Sequence, residues 1–145
     1  MKEYFRTVLY YETDQMGIVH HSNYIRWFEE ARLDHMSQCG LDYREVEREG
    51  ILIPVVRVDC RYRRSALYGD PIRIETRLAA FNGVRVTYAY RVFHAETGVL
   101  LADGTSEHCF IDAHSRAPLN LKRVRPDWSA LLRSLAEQEK TEETL

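Results

Sequence analysis

The sequence predicts an α+β fold: a five-stranded antiparallel sheet wrapped around one long central helix, with a short C-terminal helix. Three observations carry that reading. Apolar residues recur at helical spacing in one long early segment, 22–39. From Ile51 onward the apolar period drops to two. Turn signals, Asn82-Gly83 above all, then separate the strands at short intervals.

Residues 3–11 alternate and read as the first strand, with Phe5, Thr7, Leu9 and Tyr11 on one parity and Tyr4, Arg6, Val8 and Tyr10 on the other. "ETDQMG" breaks the pattern and reads as a loop. In the helix that follows, Ser22 and Asn23 are the N-cap candidates. Tyr24, Phe28, Ala31 and His35 share one face with Trp27 beside them, and Glu29 and Arg32 are spaced to pair. Gly40 suits the position just past the helix end. "LDYREVEREG" is a connection with room for a helical turn.

In "VVRVDCRYRR", Val56, Val58, Cys60 and Tyr62 face one way and Arg57, Asp59, Arg61 and Arg63 the other. The cluster Arg61, Arg63 and Arg64 is expected on the outer face. Pro71 opens the next strand, with Ile72, Ile74, Thr76 and Leu78 inward. Asn82-Gly83 turns it into "VRVTYAYRVFH", and "ETG" turns the chain again into a last strand, 99–111. Gly104 inside that strand signals a bulge or a close backbone approach. "SRAPLN" is loop, and Asp127 caps the short final helix, "WSALLRSLAEQE". Three successive hairpin connections imply an antiparallel meander, and the one long helix is left to cover its face.

The chain's 145 residues suit one domain, 1–135, followed by a charged, flexible tail, 136–145. A net charge of −2 gives no electrostatic case for nucleic acid or an anionic membrane. No apolar run approaches the ~20 residues of a membrane span. "MKEYFRTVLYYE" lacks the apolar core of a signal peptide, so the expected address is the cytoplasm. Cys39, Cys60 and Cys109 are odd in number and form no Cys-x-x-Cys pair, so they read as buried or half-buried thiols rather than a disulfide framework or zinc site.

One stretch stands apart. "YYETDQMGIVHHSNYIRWFEEAR" holds Asp14, Gly17, Val19, His21, Asn23, Tyr24 and then "FEEAR". It resembles the opening of the 4-hydroxybenzoyl-CoA thioesterase-like proteins, acyl-CoA thioesterases of the hotdog fold that include the group associated with the Tol-Pal system. The resemblance runs on through "GILIPVVRVDCRYRRSALYGDPIRIET" to about residue 120. It implies a hotdog fold, an acyl-CoA substrate with no cofactor, and a homodimer joined edge to edge, often doubled to a homotetramer.

The chemistry fits the residues. Thioester hydrolysis needs an attacking oxygen, a stabilised oxyanion and a leaving thiolate. A helix start offers unpaired N–H groups and partial positive charge, and a carbonyl oxygen aimed there is polarised as in an oxyanion hole. Asp14 is the expected carboxylate, as general base toward water or as nucleophile. His21 is expected at the helix start, where the resemblance assigns its backbone N–H to the oxyanion and its imidazole to assistance. His20 is read as structural. Adjacent histidines seldom converge on one ion, so no metal is expected. The resemblance gives Tyr10 a supporting catalytic role. Gly17 lets the backbone approach the substrate, and Tyr24 belongs to the core or acyl-pocket lining. For the CoA phosphates, the resemblance points to the hairpin "FNGVRV" and to "NLKRVRP", hence Arg85, Lys122 and Arg123. Some relatives carry a basic residue at the hairpin turn where this chain has Asn82. Two other readings stay open: a hydratase or dehydratase of acyl thioesters, and a non-catalytic acyl-CoA-binding protein. The acid preceding the histidine on one short loop suits hydrolysis better.

Overall fold

A computed structural model describes residues 1–143. In chain order it holds β1 (Lys2–Thr7), a 3-10 turn (Tyr10–Glu12), α1 (Ser22–Gln38), α2 (Tyr43–Arg48), β2 (Ile51–Leu52), β3 (Val55–Tyr62), β4 (Pro71–Phe81), β5 (Arg85–His94), β6 (Leu100–Cys109), β7 (Ile111–Asp112), α3 (Leu121–Val124) and α4 (Pro126–Glu143). The α+β hotdog expectation is met. Five antiparallel strands form one sheet, and the apolar face of α1 lies against it. Among the described residues, no helix is long and apolar enough to cross a membrane.

Period-two alternation becomes burial along β4, where Ile72, Ile74, Thr76 and Leu78 are all at most 1% exposed. They meet Trp27, Phe28 and Ala31 of α1, equally buried. Each large side chain so covered contributes about 1.5–3 kcal/mol. Phe28 stacks on Tyr90 of β5 with centroids 4.3 Å apart. Gly104 makes that seat. The register runs unbroken through Cys60↔Gly104 and Tyr90↔Gly104, so it marks no bulge. A Cβ there would stand 2.9 Å from Phe28 Cε2 and collide with the Asp59 carbonyl. It is the close approach, of helix and neighbouring strand together.

The strand order is β1-β4-β5-β6-β3, which corrects the expected meander. Only β4, β5 and β6 follow one another as hairpins. β3 pairs with β6 at the far edge, and residues 63–70 cross the end of the sheet to reach β4. The crossover is held by the early loop: Val19 N–H donates to Ala66 O (2.9 Å), Val8 N–H to Asp70 O (3.0 Å) and Gly69 N–H to Val8 O (3.1 Å). As an edge strand, β3 leaves Val55, Val56, Val58 and Tyr62 exposed, although alternation alone places the last three inward.

Smaller differences follow from local chemistry. The first strand stops at Thr7, and Tyr10–Glu12 turn away as a 3-10 element. The last long strand ends at Cys109, after which β7 leaves the sheet to pair with β2. The C-terminal helix is not short. It spans 18 residues and continues through much of the expected tail, because Glu139 is drawn inside. That carboxylate accepts from Leu78 N–H (2.5 Å) and meets His35 Nε2 (2.7 Å). The expected tail at residues 144 and 145 lies outside the described residues.

Candidate active site

The site is assembled around Glu12. Its side chain is buried and accepts from Arg6 (2.9 and 3.0 Å), Leu9 N–H (2.8 Å) and Trp27 Nε1 (2.8 Å). Its carbonyl accepts from His20 N–H (2.8 Å) and from the buried Asn23 Nδ2 (2.9 Å). One residue thus ties β1, the 3-10 turn, the loop and the first turns of α1 together.

Between Glu12 and α1 the chain makes a tight loop closed by Asp14. Asp14 N–H donates to Ile18 O (2.9 Å), Gly17 N–H to Asp14 O (2.9 Å) and Met16 N–H to Asp14 Oδ1 (2.8 Å). Asp14 therefore caps its own turn, as Asp commonly does. Gly17, at φ +79°, supplies the left-handed residue this turn requires. Asp14 Oδ2 has no protein donor among the described residues.

The helix start differs from expectation in who caps it. His20 Nδ1 accepts Ser22 N–H (3.2 Å) and lies 2.8 Å from Ser22 Oγ, so an imidazole performs the role expected of Ser22 or Asn23. His20 is structural, as read. His21 holds the N-cap position in helical geometry, φ −55°, ψ −30°. Its ring is exposed and stacks on His20 at 4.1 Å. The N–H groups of His20, Ser22 and Asn23 are all engaged, whereas that of His21 has no acceptor among the described residues.

Asp14, His21 and Tyr24 line one cleft of about 200 Å³, together with Met16, Ile18 and Tyr62. Arg63 and Arg64 form its wall, and Arg63 also borders the outer sheet face beside Arg61, as expected, where its Nε donates to Asp103 (2.8 Å). Gly17 shapes the loop beside it. Tyr62 was not foreseen. Its hydroxyl donates to His21 O (2.9 Å), and its ring meets Tyr24 edge-on at 5.2 Å. Burial pushes both phenols up to about 12, with Cys60 adding to the effect on Tyr62, so both stay neutral hydrogen-bond donors. The only advance signal for Tyr62 was its parity on β3.

The other expected residues lie elsewhere in the chain. Tyr10 is 76% exposed and packs edge-on against Tyr68 at 5.5 Å, outside the cleft. Arg85 pairs with Glu107 at 3.2 Å and sits in register with Cys109, whereas Tyr62 is in register with Ala102. Seven residues along β6 separate the two by about 23 Å. Leu121 N–H donates to Gly83 O (2.9 Å), which brings Lys122 and Arg123 of α3 beside the same hairpin as Arg85. The three basic residues are gathered together, at the opposite end of the sheet from the cleft.

The grouping of metal-ligand types found among the described residues is His35, Cys39 and Glu139, away from the cleft. His35 turns Nε2 to Glu139 (2.7 Å) and Nδ1 to Cys39 (3.8 Å). Opposite ring nitrogens serve the two partners, so the set forms an ion-paired, hydrogen-bonded network.

Comparison with known proteins agrees with the fold. The profile of the thioesterase-like superfamily matches residues 8–134. YneP of Bacillus subtilis, provisionally named an acyl-CoA thioesterase, is 36% identical over 121 residues, 83% of this chain and 87% of that protein. The 1,4-dihydroxy-2-naphthoyl-CoA hydrolase of Thermosynechococcus vestitus is 25% identical over 129 residues, 88% of each chain. The crystal structure of a DHNA-CoA thioesterase from Staphylococcus aureus has a TM-score of 0.91 at 32% identity, covering 99% of this chain and 95% of that one.

Proposed function

The chain belongs to the thioesterase-like superfamily, and from that premise we propose that it hydrolyses an acyl-CoA to free acid and CoA at the Asp14 cleft. One observation carries the assignment. A carboxylate with a free oxygen and an uncommitted helix-start N–H, that of His21, belong to the same cleft. The carbonyl oxygen is held by the His21 N–H and the positive end of α1. On the general-base route Asp14 takes a proton from water as the water adds to the thioester carbon, the C–S bond breaks, and the thiolate leaves with the proton that Asp14 holds. On the nucleophilic route Asp14 attacks that carbon, the thiolate leaves and takes a proton from solvent, and water then opens the resulting anhydride at the Asp14 carbonyl to free the acid. Tyr62 holds the start of α1 by donating to the His21 carbonyl.

The proposed active unit is a homodimer, alone or as half of a tetramer, joined through β3. Four exposed apolar side chains on an unpaired edge support this. Two identical edges related by a twofold axis run antiparallel. The Tyr62 end of one β3 then lies beside the Val55 end of the other, and Arg85, Lys122 and Arg123 of the second copy approach the cleft of the first. In that arrangement they serve the CoA phosphates. A cytoplasmic address belongs to the same proposal, supported by three partly accessible free thiols, which persist in a reducing compartment.

Free thiol released from benzoyl-, short- and long-chain acyl-CoAs tests the reading. Asp14→Asn is expected to lower kcat by a factor on the order of 10²–10⁴ with the fold intact. An Asp14→Asn protein of full activity, or tight acyl-CoA binding without turnover across the panel, refutes the assignment. A single turnover in ¹⁸O-water separates the routes, because a nucleophilic Asp14 acquires the label.

A further inference from the structure

A second cavity, of about 210 Å³, lies between the C-terminal half of α1 and the sheet. Its walls are largely apolar: Met36, Leu41, Tyr43, Ile53, Tyr88 and Phe110. A dry cavity of about 150 Å³ can hold a benzene ring, so this one admits a substituted ring or a short chain. Arg32 stands in its wall.

Arg32 is under-matched. Its side chain is 11% exposed, yet among the described residues the carboxylate that pairs with it, on the exposed Glu29, is 3.9 Å away, and its one hydrogen bond, to Tyr90 OH, is 3.5 Å long. Arg6, comparably buried at 9%, has Glu12 at 2.9 Å and Glu30 at 3.3 Å. Guanidinium offers five N–H donors in a planar fork suited to a carboxylate, and most of those on Arg32 have no protein acceptor among the described residues. Tyr90 cannot supply a second acceptor of strength, because its hydroxyl is already shared with Ser106 Oγ (2.6 Å), which in turn meets His108 Nε2 (2.7 Å). That chain carries no anion to Arg32. Burial and the Arg32 charge push the His108 imidazole down to about 4, which keeps it neutral.

The cavity's place decides its use. It reaches Pro54 and Val55 at the start of β3, whereas the Asp14 cleft lies by Tyr62 at its end. In one chain the two are about 20 Å apart along the strand. In the edge-to-edge dimer proposed above, on which this inference rests, the cavity of one copy adjoins the cleft of the other. We propose that the cavity receives the far end of the acyl group bound in the neighbouring copy's cleft, and that Arg32 selects acyl groups ending in a carboxylate, the monothioesters of dicarboxylic acids.

Carboxylate-for-methyl pairs test this: adipyl-CoA against hexanoyl-CoA, and 4-carboxybenzoyl-CoA against 4-methylbenzoyl-CoA. The wild-type protein is expected to favour the carboxylate member of at least one pair by tenfold or more in kcat/KM. Arg32→Met is expected to bring that ratio to about one. Arg32→Lys, which keeps the charge but not the fork, gives an intermediate ratio and serves if Arg32→Met does not fold. Hydrolysis of both members with no carboxylate preference, or with a preference that survives in a folded Arg32 variant, overturns the inference and leaves the thioesterase reading standing. Equal preference for 6-hydroxyhexanoyl-CoA also overturns the carboxylate assignment. Failure to hydrolyse any of the esters overturns the thioesterase reading itself.

Discussion

Glu12 shows how much of the site depends on one buried charge. Every donor around its carboxylate, from Arg6, Leu9 and Trp27, points at an acceptor. Glu12→Gln places an NH₂ group among them and removes the charge opposite Arg6. Breaking a buried pair costs about 3–5 kcal/mol, so a melt followed by circular dichroism is expected to show a fall in Tm on the order of 10 °C. A Tm close to wild type contradicts the hub. Asp14, His21 and Tyr24 were legible because loop and helix start are contiguous in sequence, so spacing alone brings them together. Glu12 and Tyr62 were not, because their meaning lies in distant partners: Trp27 is 15 residues from Glu12, and His21 is 41 from Tyr62. Tyr10, expected on the first strand, lies beyond its end at Thr7 and opens the 3-10 turn instead.

At the scale of elements, the clearest prediction concerns α4. Its Glu139 is buried against His35 of α1, within reach of the Met1 ammonium (3.1 Å), with Cys39 and the Tyr88 ring on the other sides of the imidazole. Burial pulls the His35 imidazole down, but hydrogen bonds to Cys39 and Glu139 and the Glu139 charge outweigh it and raise it from 6.5 to about 9. Burial likewise pushes Glu139 up, and the bonds from His35 and Leu78 N–H hold it below 4.5 instead. For His35 the folded chain keeps a proton that the unfolded chain releases. Its contribution is complete below pH 6.5 and is lost as pH rises through about 9. For Glu139 the contribution is present above 4.5 and is lost as pH falls. Tm is therefore expected to decline from pH 6.5 to 9.5, by the equivalent of about 2–3 kcal/mol, and His35→Gln is expected to flatten that decline. A wild-type Tm constant over the range contradicts the pairing. The helix's length was hidden from the sequence, since "EQEKTEE" reads as a solvated tail until Glu139 has a partner. Inward residues on β4 were legible from period two alone. The place of β3 was not, because the crossover that carries it to the far edge is held by contacts to Val8 and Val19 rather than by any turn signal of its own.

At the scale of the molecule, a single chain carries two cavities that lie apart. The Asp14 cleft adjoins one end of β3, and the Arg32 cavity and the basic hairpin lie toward the other. If a twofold pairing of β3 joins them, each working site takes its cleft from one copy and its cavity from the other. Complementation then distinguishes sites built across copies from sites within one copy. Asp14→Asn chains have a dead cleft and an intact cavity; Arg32→Met chains have the reverse. In a mixed dimer one site combines both defects, and the other combines the intact cleft of the Arg32→Met chain with the intact cavity of the Asp14→Asn chain. Random remixing makes half the dimers mixed with one of two sites whole, so about a quarter of the wild-type rate on a carboxylate-tipped acyl-CoA is expected to return. Neither variant alone reaches that rate. If cleft and cavity served the same substrate within one chain, no mixed dimer would contain a whole site, and the rate after mixing would be the mean of the two variants.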